Sequence, residues 1–136
     1  MELRRVVITG LGAITPIGNT VSEYWDSLCK GVNGAGPVTR FDASKFKTRI
    51  ACEVKNFDPL QYFDRKEARK LDLYTQFALI ASDEAIRDSK ITKDNTDFNE
   101  VGVVFSSGIG GINSFYEEVA AYATGDGTPR YNPFII

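Results

Sequence analysis

Twice in this chain a β-branched run is closed by glycine and followed by an amphipathic helix, and that repeat restricts the fold more than any other feature. The first run, Val6-Val7-Ile8-Thr9, stops at Gly10, and a glycine-punctuated loop containing Pro16 leads on to Gly18. Thr20 and Glu23 then stand at capping-box spacing. Val21, Tyr24, Trp25, Leu28 and Cys29 recur at helical spacing up to Gly31. The second run, residues 101–106, enters Ser107-Gly108-Ile109-Gly110-Gly111. Ile112, Phe115, Tyr116, Val119, Ala120 and Ala123 then form one stripe that ends at Gly125. Both β-branched runs read as buried strands. Strand, glycine turn and helix, repeated, predict an α/β architecture with some parallel pairing.

The stretch between the two repeats is more mixed. Residues 32–48 read as loop, and Ile50, Cys52 and Val54 alternate with mostly polar neighbours as in a half-exposed strand facing inward at those positions. Asn56-Phe57-Asp58-Pro59 breaks it. Asp64 with Glu67 offers a second capping pair, opening a charged turn that carries Arg65, Lys66, Arg69 and Lys70. Asp72 begins a longer helix with Leu73, Phe77, Ile80, Ala81 and Ala85 buried and Asp83, Arg87 and Asp88 solvated, and residues 92–100 form a loop. At 136 residues, 43% hydrophobic and 25% charged, the chain has the length and composition of one globular domain. No run approaches the roughly 18 apolar residues of a membrane span.

The chain contains no histidine and two cysteines, Cys29 and Cys52. Ser-His-Asp triads, Cys-His dyads and His-containing zinc sites are therefore excluded within it, and neither a metal site nor a cofactor site is expected. Gly10-Leu11-Gly12 lies where a dinucleotide fingerprint belongs, but Thr15 replaces the third glycine and Pro16 follows, so tight turns are the better reading. A phosphate loop fails because Asn19 stands in place of the lysine. Ser106-Ser107 lacks the flanking glycines of a nucleophile elbow as well as a histidine. Ile109, held between two glycines at the end of a strand, reads either as a bulky side chain bordering a pocket or as simple packing. Both cysteines read as core residues, with no secreted disulfide framework and no signal peptide, so a cytoplasmic setting is expected.

Charge is unevenly spread. Residues 45–70 hold eight of the sixteen Lys and Arg against four acids, whereas residues 71–136 carry four bases and ten acids. A basic patch on a chain of net charge −2 suits an acidic protein partner better than nucleic acid, whose phosphates the distal acids repel.

The whole chain resembles the N-terminal part of the β-ketoacyl-acyl carrier protein synthases of the type II elongating class. The resemblance is carried by the opening RRVVITGLGAITPIGNTVSEYWDSLCKG, by RFDASKF, by DRKEARKLDLYTQFALIASDEAIRDS and by VGVVFSSGIGGI. It implies a thiolase-like α/β fold with a mixed sheet and flanking helices, of which residues 1–136 form the incomplete N-terminal portion of the first half. It also implies decarboxylative Claisen condensation: a cysteine thiolate accepts the acyl chain, and two histidines and an oxyanion hole promote decarboxylation of malonyl-carrier protein. In the family those residues follow the segment resembling NPFII, so no catalytic residue is assigned here and the chain alone is expected to be inactive, truncated before the nucleophile. Cys29 and Cys52 do not match it.

By the same resemblance, Ile109 matches the apolar residue at the base of the acyl pocket. Phe134 and Ile135 match a segment lining the neighbouring subunit's pocket in a homodimer. Lys66, Arg69 and Lys70 match basic positions facing the acidic acyl carrier protein. Two other readings accompany this one: a non-catalytic fragment that only docks carrier protein, and the N-terminus of a polyketide ketosynthase or chain-length-factor relative. An incomplete fold also exposes apolar surface, so self-association is expected.

Overall fold

The computed structural model describes residues 4–131 and Pro133 of the chain. Phe134 and Ile135, expected to line a pocket, lie outside the described residues. The chain divides into two compact units. One comprises the described residues up to Phe57 with Ile80–Thr96, and the other Asp58–Leu79 with the described residues from Asp97 onward. Helix α3, Leu73–Ser89, contributes to both.

In the first unit, α1 spans Val21–Cys29. The Glu23 N–H donates to Thr20 Oγ1 at 3.2 Å, as the capping-box spacing predicts. The reciprocal bond is shifted by one residue, because Glu23 Oε2 accepts from the Asn19 N–H at 2.8 Å rather than from Thr20. Lys30 caps the C-terminus and Gly31 follows at φ +64°. Upstream, Thr15 and Gly18 close a tight turn, with Thr15 N–H donating to Gly18 O at 2.8 Å.

The glycines of the Gly10-Leu11-Gly12 loop serve close approach to α3 rather than a left-handed turn. A Cβ on Gly12 would lie 1.8 Å from the Ala81 carbonyl oxygen, and one on Gly10 would lie 2.2 Å from that of Ala85. Three backbone N–H groups then find carboxylates on α3. Ala13 donates to Glu84 Oε2 and Val21 to Glu84 Oε1, each at 2.9 Å, and Leu11 donates to Asp88 Oδ2 at 3.0 Å. Asp88, expected to be merely solvated, thus holds a loop. Asp83 is solvated as expected, in an exposed ion pair with Arg87.

The sheet content differs from expectation. Among the described residues it comprises one isolated Thr15–Gly18 bridge and a two-stranded antiparallel ladder, β1 (Gly36–Pro37) with β2 (Ile50–Ala51). Residues 6–9 and 101–106 belong to no ladder, and their side chains lie open: Val6 is 88% and Val104 96% exposed. A strand requires a neighbour about 4.8 Å away to take its backbone groups. Apolar β-branched sequence signals that such a run will be buried but does not supply the partner.

Exposure corrects the cysteine assignment too. Cys29 and Cys52 are both free and exposed. On β2 and its extension Ile50 and Cys52 point outward, while Ala51 and Glu53 are half-buried, because Glu53 turns back to accept from the Thr39 hydroxyl and N–H. Trp25 and Leu28 of α1 are likewise exposed.

In the second unit, α2 is the short Arg65–Ala68 helix, opened by Asp64, whose Oδ1 accepts from Lys66 N–H and Glu67 N–H at 2.8 Å each. The capping pair read from the sequence is thus correct at the aspartate. Helix α4 spans Ile112–Thr124 and stops before Gly125, as its stripe predicts. That stripe is formed but uncovered, with Phe115 and Tyr116 among the exposed aromatic side chains. Gln76 on α3 is 6% exposed, and its Nε2 donates to the carbonyls of Ala68 (2.9 Å) and Leu71 (3.0 Å). It ties the end of α2 to the start of α3.

Candidate functional site: a charged cavity beside the Ile109 turn

The second unit contains a cavity of about 820 Å³ whose lining includes Lys66, Arg69 and Lys70. Their common location follows from local folding. The Asp64 cap starts α2 at Arg65, so Lys66 sits in its first turn and Arg69 is its C-cap. Lys70 N–H donates to the Glu67 carbonyl at 2.9 Å, which continues the turn and keeps Lys70 beside its neighbours. The three cations therefore border one cavity, together with the acids Asp64, Glu67 and Asp72.

The opposite contribution to the lining comes from Gly110, Gly111 and Ser114, at the start of α4. Gly111 is the N-cap of α4 at φ +65°, a left-handed conformation that suits glycine, and no side-chain cap bond accompanies it. Gly110 lies against the Tyr74 ring: a Cβ there would come within 2.8 Å of Tyr74 Cζ. Ser114 Oγ–H donates to Asp72 Oδ2 at 2.5 Å, while Asp72 Oδ1 accepts from Tyr74 N–H at 3.1 Å. Ile109, on the turn just before, is 72% exposed and is not part of the cavity lining. The structure thus brings Lys66, Arg69 and Lys70 together and sets the glycines that follow Ile109 on the same cavity.

Sequence reading overlooked Asp72, Tyr74 and Ser114. Asp72 was legible as the start of a helix and nothing more. Ser114 lies among the polar positions of α4, and its partner is 42 residues away. No local pattern reports a bond of that span.

Among the described residues three carboxylates are held below the ordinary carboxylate range, and none lines this cavity. Ser44 N–H is the main cause for Asp42, the Thr39 hydroxyl for Glu53 and Thr128 N–H for Asp126. Those of Asp42 and Asp126 close local turns, and that of Glu53 joins two segments 14 residues apart. Among the described residues no group of three or more His, Cys, Asp and Glu side chains could hold a metal ion, and no helix is long and apolar enough to cross a membrane. The cavity is lined by three cations, Lys66, Arg69 and Lys70, and three acids, Asp64, Glu67 and Asp72, of which Asp64 and Asp72 accept backbone N–H bonds.

Comparison with known proteins agrees with the resemblance in the sequence. The family model for the β-ketoacyl synthase N-terminal domain matches residues 3–135. The 3-oxoacyl-[acyl-carrier-protein] synthase 2 of Synechocystis sp. is 47% identical over all 136 residues, and that of Coxiella burnetii 46%. The chain spans about a third of their length, 32% and 33% respectively. Among solved structures, the ishigamide ketosynthase/chain length factor superposes with a TM-score of 0.69 at 32% identity, covering 97% of this chain and 33% of that one. A β-ketoacyl synthase from Burkholderia phymatum gives 0.64 at 26% identity, covering 93% and 32%. With one family model spanning nearly the whole chain and relatives this similar over its full length, the chain belongs to the β-ketoacyl synthase family, matching its N-terminal domain.

Proposed function

We propose that this chain is the N-terminal part of a fatty-acid elongating β-ketoacyl-acyl carrier protein synthase. Its natural polypeptide condenses an acyl thioester with malonyl-carrier protein, with loss of carbon dioxide. The observation that carries the reading is the convergence of Lys66, Arg69 and Lys70 on one cavity, in a chain whose curated relatives are named for acyl carrier protein. The three cations dock the acidic carrier protein. Electrostatic steering of this kind raises the encounter rate and orients the partner while adding less to residence time. Ile109 forms the base of the acyl site, and Phe134 and Ile135 line the pocket of the second subunit in a homodimer. The unpaired runs at residues 6–9 and 101–106 become strands of a mixed, thiolase-like sheet. Their exposed β-branched side chains and their glycine-turn endings support that assignment. A cytoplasmic setting fits two free, exposed cysteines.

The polyketide ketosynthase or chain-length-factor reading draws on the ishigamide relative. The higher identity to the synthase 2 enzymes, 47% against 32%, favours fatty-acid elongation.

The test is steady-state condensation by the natural polypeptide with saturated acyl-carrier and malonyl-carrier substrates. Replacing Lys66, Arg69 and Lys70 together by alanine should raise KM for carrier protein by roughly tenfold or more at low salt, as each docking charge contributes a few tenths to 1 kcal/mol. The wild-type KM should rise with ionic strength and the variant's much less. An unchanged KM in the triple variant refutes the docking assignment. Absence of any condensing activity refutes the elongating-synthase reading.

A further inference from the structure

Helix α4 begins without a side-chain cap, yet one contact on its first turn, at Ser114, and one just before its N-cap, at Gly110, tie its start to the segment just before and at the start of α3. Ser114, in that first turn, donates to Asp72 Oδ2 at 2.5 Å. Gly110 lies against the Tyr74 ring, and also against Ser107 Oγ of its own turn: a Cβ there would come within 2.8 and 2.9 Å of them. Asp72 is the hub, because its other oxygen accepts the Tyr74 N–H at 3.1 Å and so fixes the residue whose ring supports the turn. A carboxylate beside the first turn of a 13-residue helix also meets the positive end of its dipole. Ile109 lies one residue before the supported glycine, flanked by Gly108 and Gly110. Glycines on both sides leave its backbone few constraints of its own. Its position is therefore inherited from what Gly110, Gly111 and Ser114 touch.

We propose that Asp72 and Ser114 are a positioning pair that sets where the Ile109 side chain stands, and thereby the acyl chain length the enzyme accepts. The proposal rests on the reading of Ile109 as the base of the acyl site. Neither residue of the pair touches the acyl chain. Loss of the bond frees the start of α4, lets the glycine-flanked turn shift, and alters the depth available to a long chain more than to a short one.

The experiment measures kcat/KM of the natural polypeptide for a short and a long saturated acyl-carrier substrate, in Ser114→Ala, Asp72→Asn, the double variant, Ser114→Thr and Ile109→Ala. The expected result is a change of roughly three- to tenfold in the long-to-short ratio for each single variant of the pair, the size that losing one charge-assisted hydrogen bond allows. The double variant should be no worse than the worse single one, and Ser114→Thr, which keeps the hydroxyl, should restore the ratio. Both substrates carry the same carrier protein, so the ratio is independent of any change in docking. If the alanine variant does not fold, Ser114→Cys, nearly isosteric but a weak donor, tests the same bond. A ratio that moves in Ile109→Ala but not in the pair variants overturns the proposal and leaves the reading of Ile109 intact. Additive effects of the two single variants also overturn it. A ratio that fails to move even in Ile109→Ala overturns the reading of Ile109, and the positioning role with it.

Discussion

Glu84 offers the sharpest test of how the first unit is held together. Its two carboxylate oxygens accept from backbone N–H groups of two different segments, Ala13 in the glycine loop and Val21 at the first position of α1, each at 2.9 Å and part-buried. Val21 N–H is one of the donors that a helix N-terminus cannot satisfy within itself. Replacing Glu84 by glutamine keeps size and shape, but the amide presents one acceptor where two are needed. Its NH2 group faces an N–H donor directly. One charge-assisted bond is lost, worth about 1.5–3 kcal/mol, and one is reduced to an ordinary bond worth about 1 kcal/mol. With partial burial the expected destabilisation is about 2–3 kcal/mol, a large share of the roughly 5–15 kcal/mol that holds a domain.

The measurement is urea unfolding of the natural polypeptide, together with amide exchange at Ala13 and Val21. Both amides should lose protection by roughly tenfold or more, in step with the free-energy change. Asp83→Asn is the control on the same helix. Its ion pair with Arg87 has both side chains about two-thirds exposed, so its loss should cost no more than about 0.5 kcal/mol. Equal effects of the two substitutions, or full protection of Ala13 and Val21 in Glu84→Gln, would refute the argument that one carboxylate clamps two segments.

Other consequences are more local. Gly12→Ala puts a methyl group 1.8 Å from the Ala81 carbonyl oxygen, where only backbone could yield, so a loss above about 3 kcal/mol is expected in thermal or urea unfolding. Gly110→Ala meets the Tyr74 ring at 2.8 Å and Ser107 Oγ at 2.9 Å instead, side chains that can move. Pairing it with Tyr74→Leu should recover part of the lost stability, and an additive double variant would contradict the Tyr74 contact. Glu53 is held below its ordinary range first by the Thr39 hydroxyl and then by the Thr39 N–H. A depressed folded pKa means that its contribution is present above the unfolded carboxylate pKa and fades as pH falls through the lower folded one. Thr39→Val removes the larger cause, so stability measured from neutral pH downward should show a flatter acid limb, and an unchanged limb would count against the bond.

The parts of this fold that a reader of residues can recover are those in which the deciding atoms lie within one turn of each other. Thr20 with Glu23 and Asp64 with Glu67 marked the starts of α1 and α2, and Gly125 marked the end of α4, because caps and stops involve neighbouring backbone groups. Charge counting likewise located the basic segment, since Lys66, Arg69 and Lys70 are close in sequence as well as in space. Burial was less legible. Cys29, Cys52, Trp25 and Ile50 carry the apolar character of core residues and are exposed, since apolar pattern indicates which face of an element would be covered and not whether anything covers it.

The two β-branched runs show the same division most clearly. Sequence alone determined that glycine turns follow residues 6–9 and 101–106 and that a helix follows each turn. Turns and helical stripes are short-range consequences of side-chain shape and spacing. Only the tertiary structure decided what those glycines do: Gly12 admits the Ala81 carbonyl and Gly110 admits the Tyr74 ring. It alone also joined Ser114 to Asp72 and made Glu84 the anchor of two segments far from it in the chain. A hydrogen bond between distant residues is formed by where the backbone returns in space, and that return depends on how whole elements pack rather than on any local run of residues.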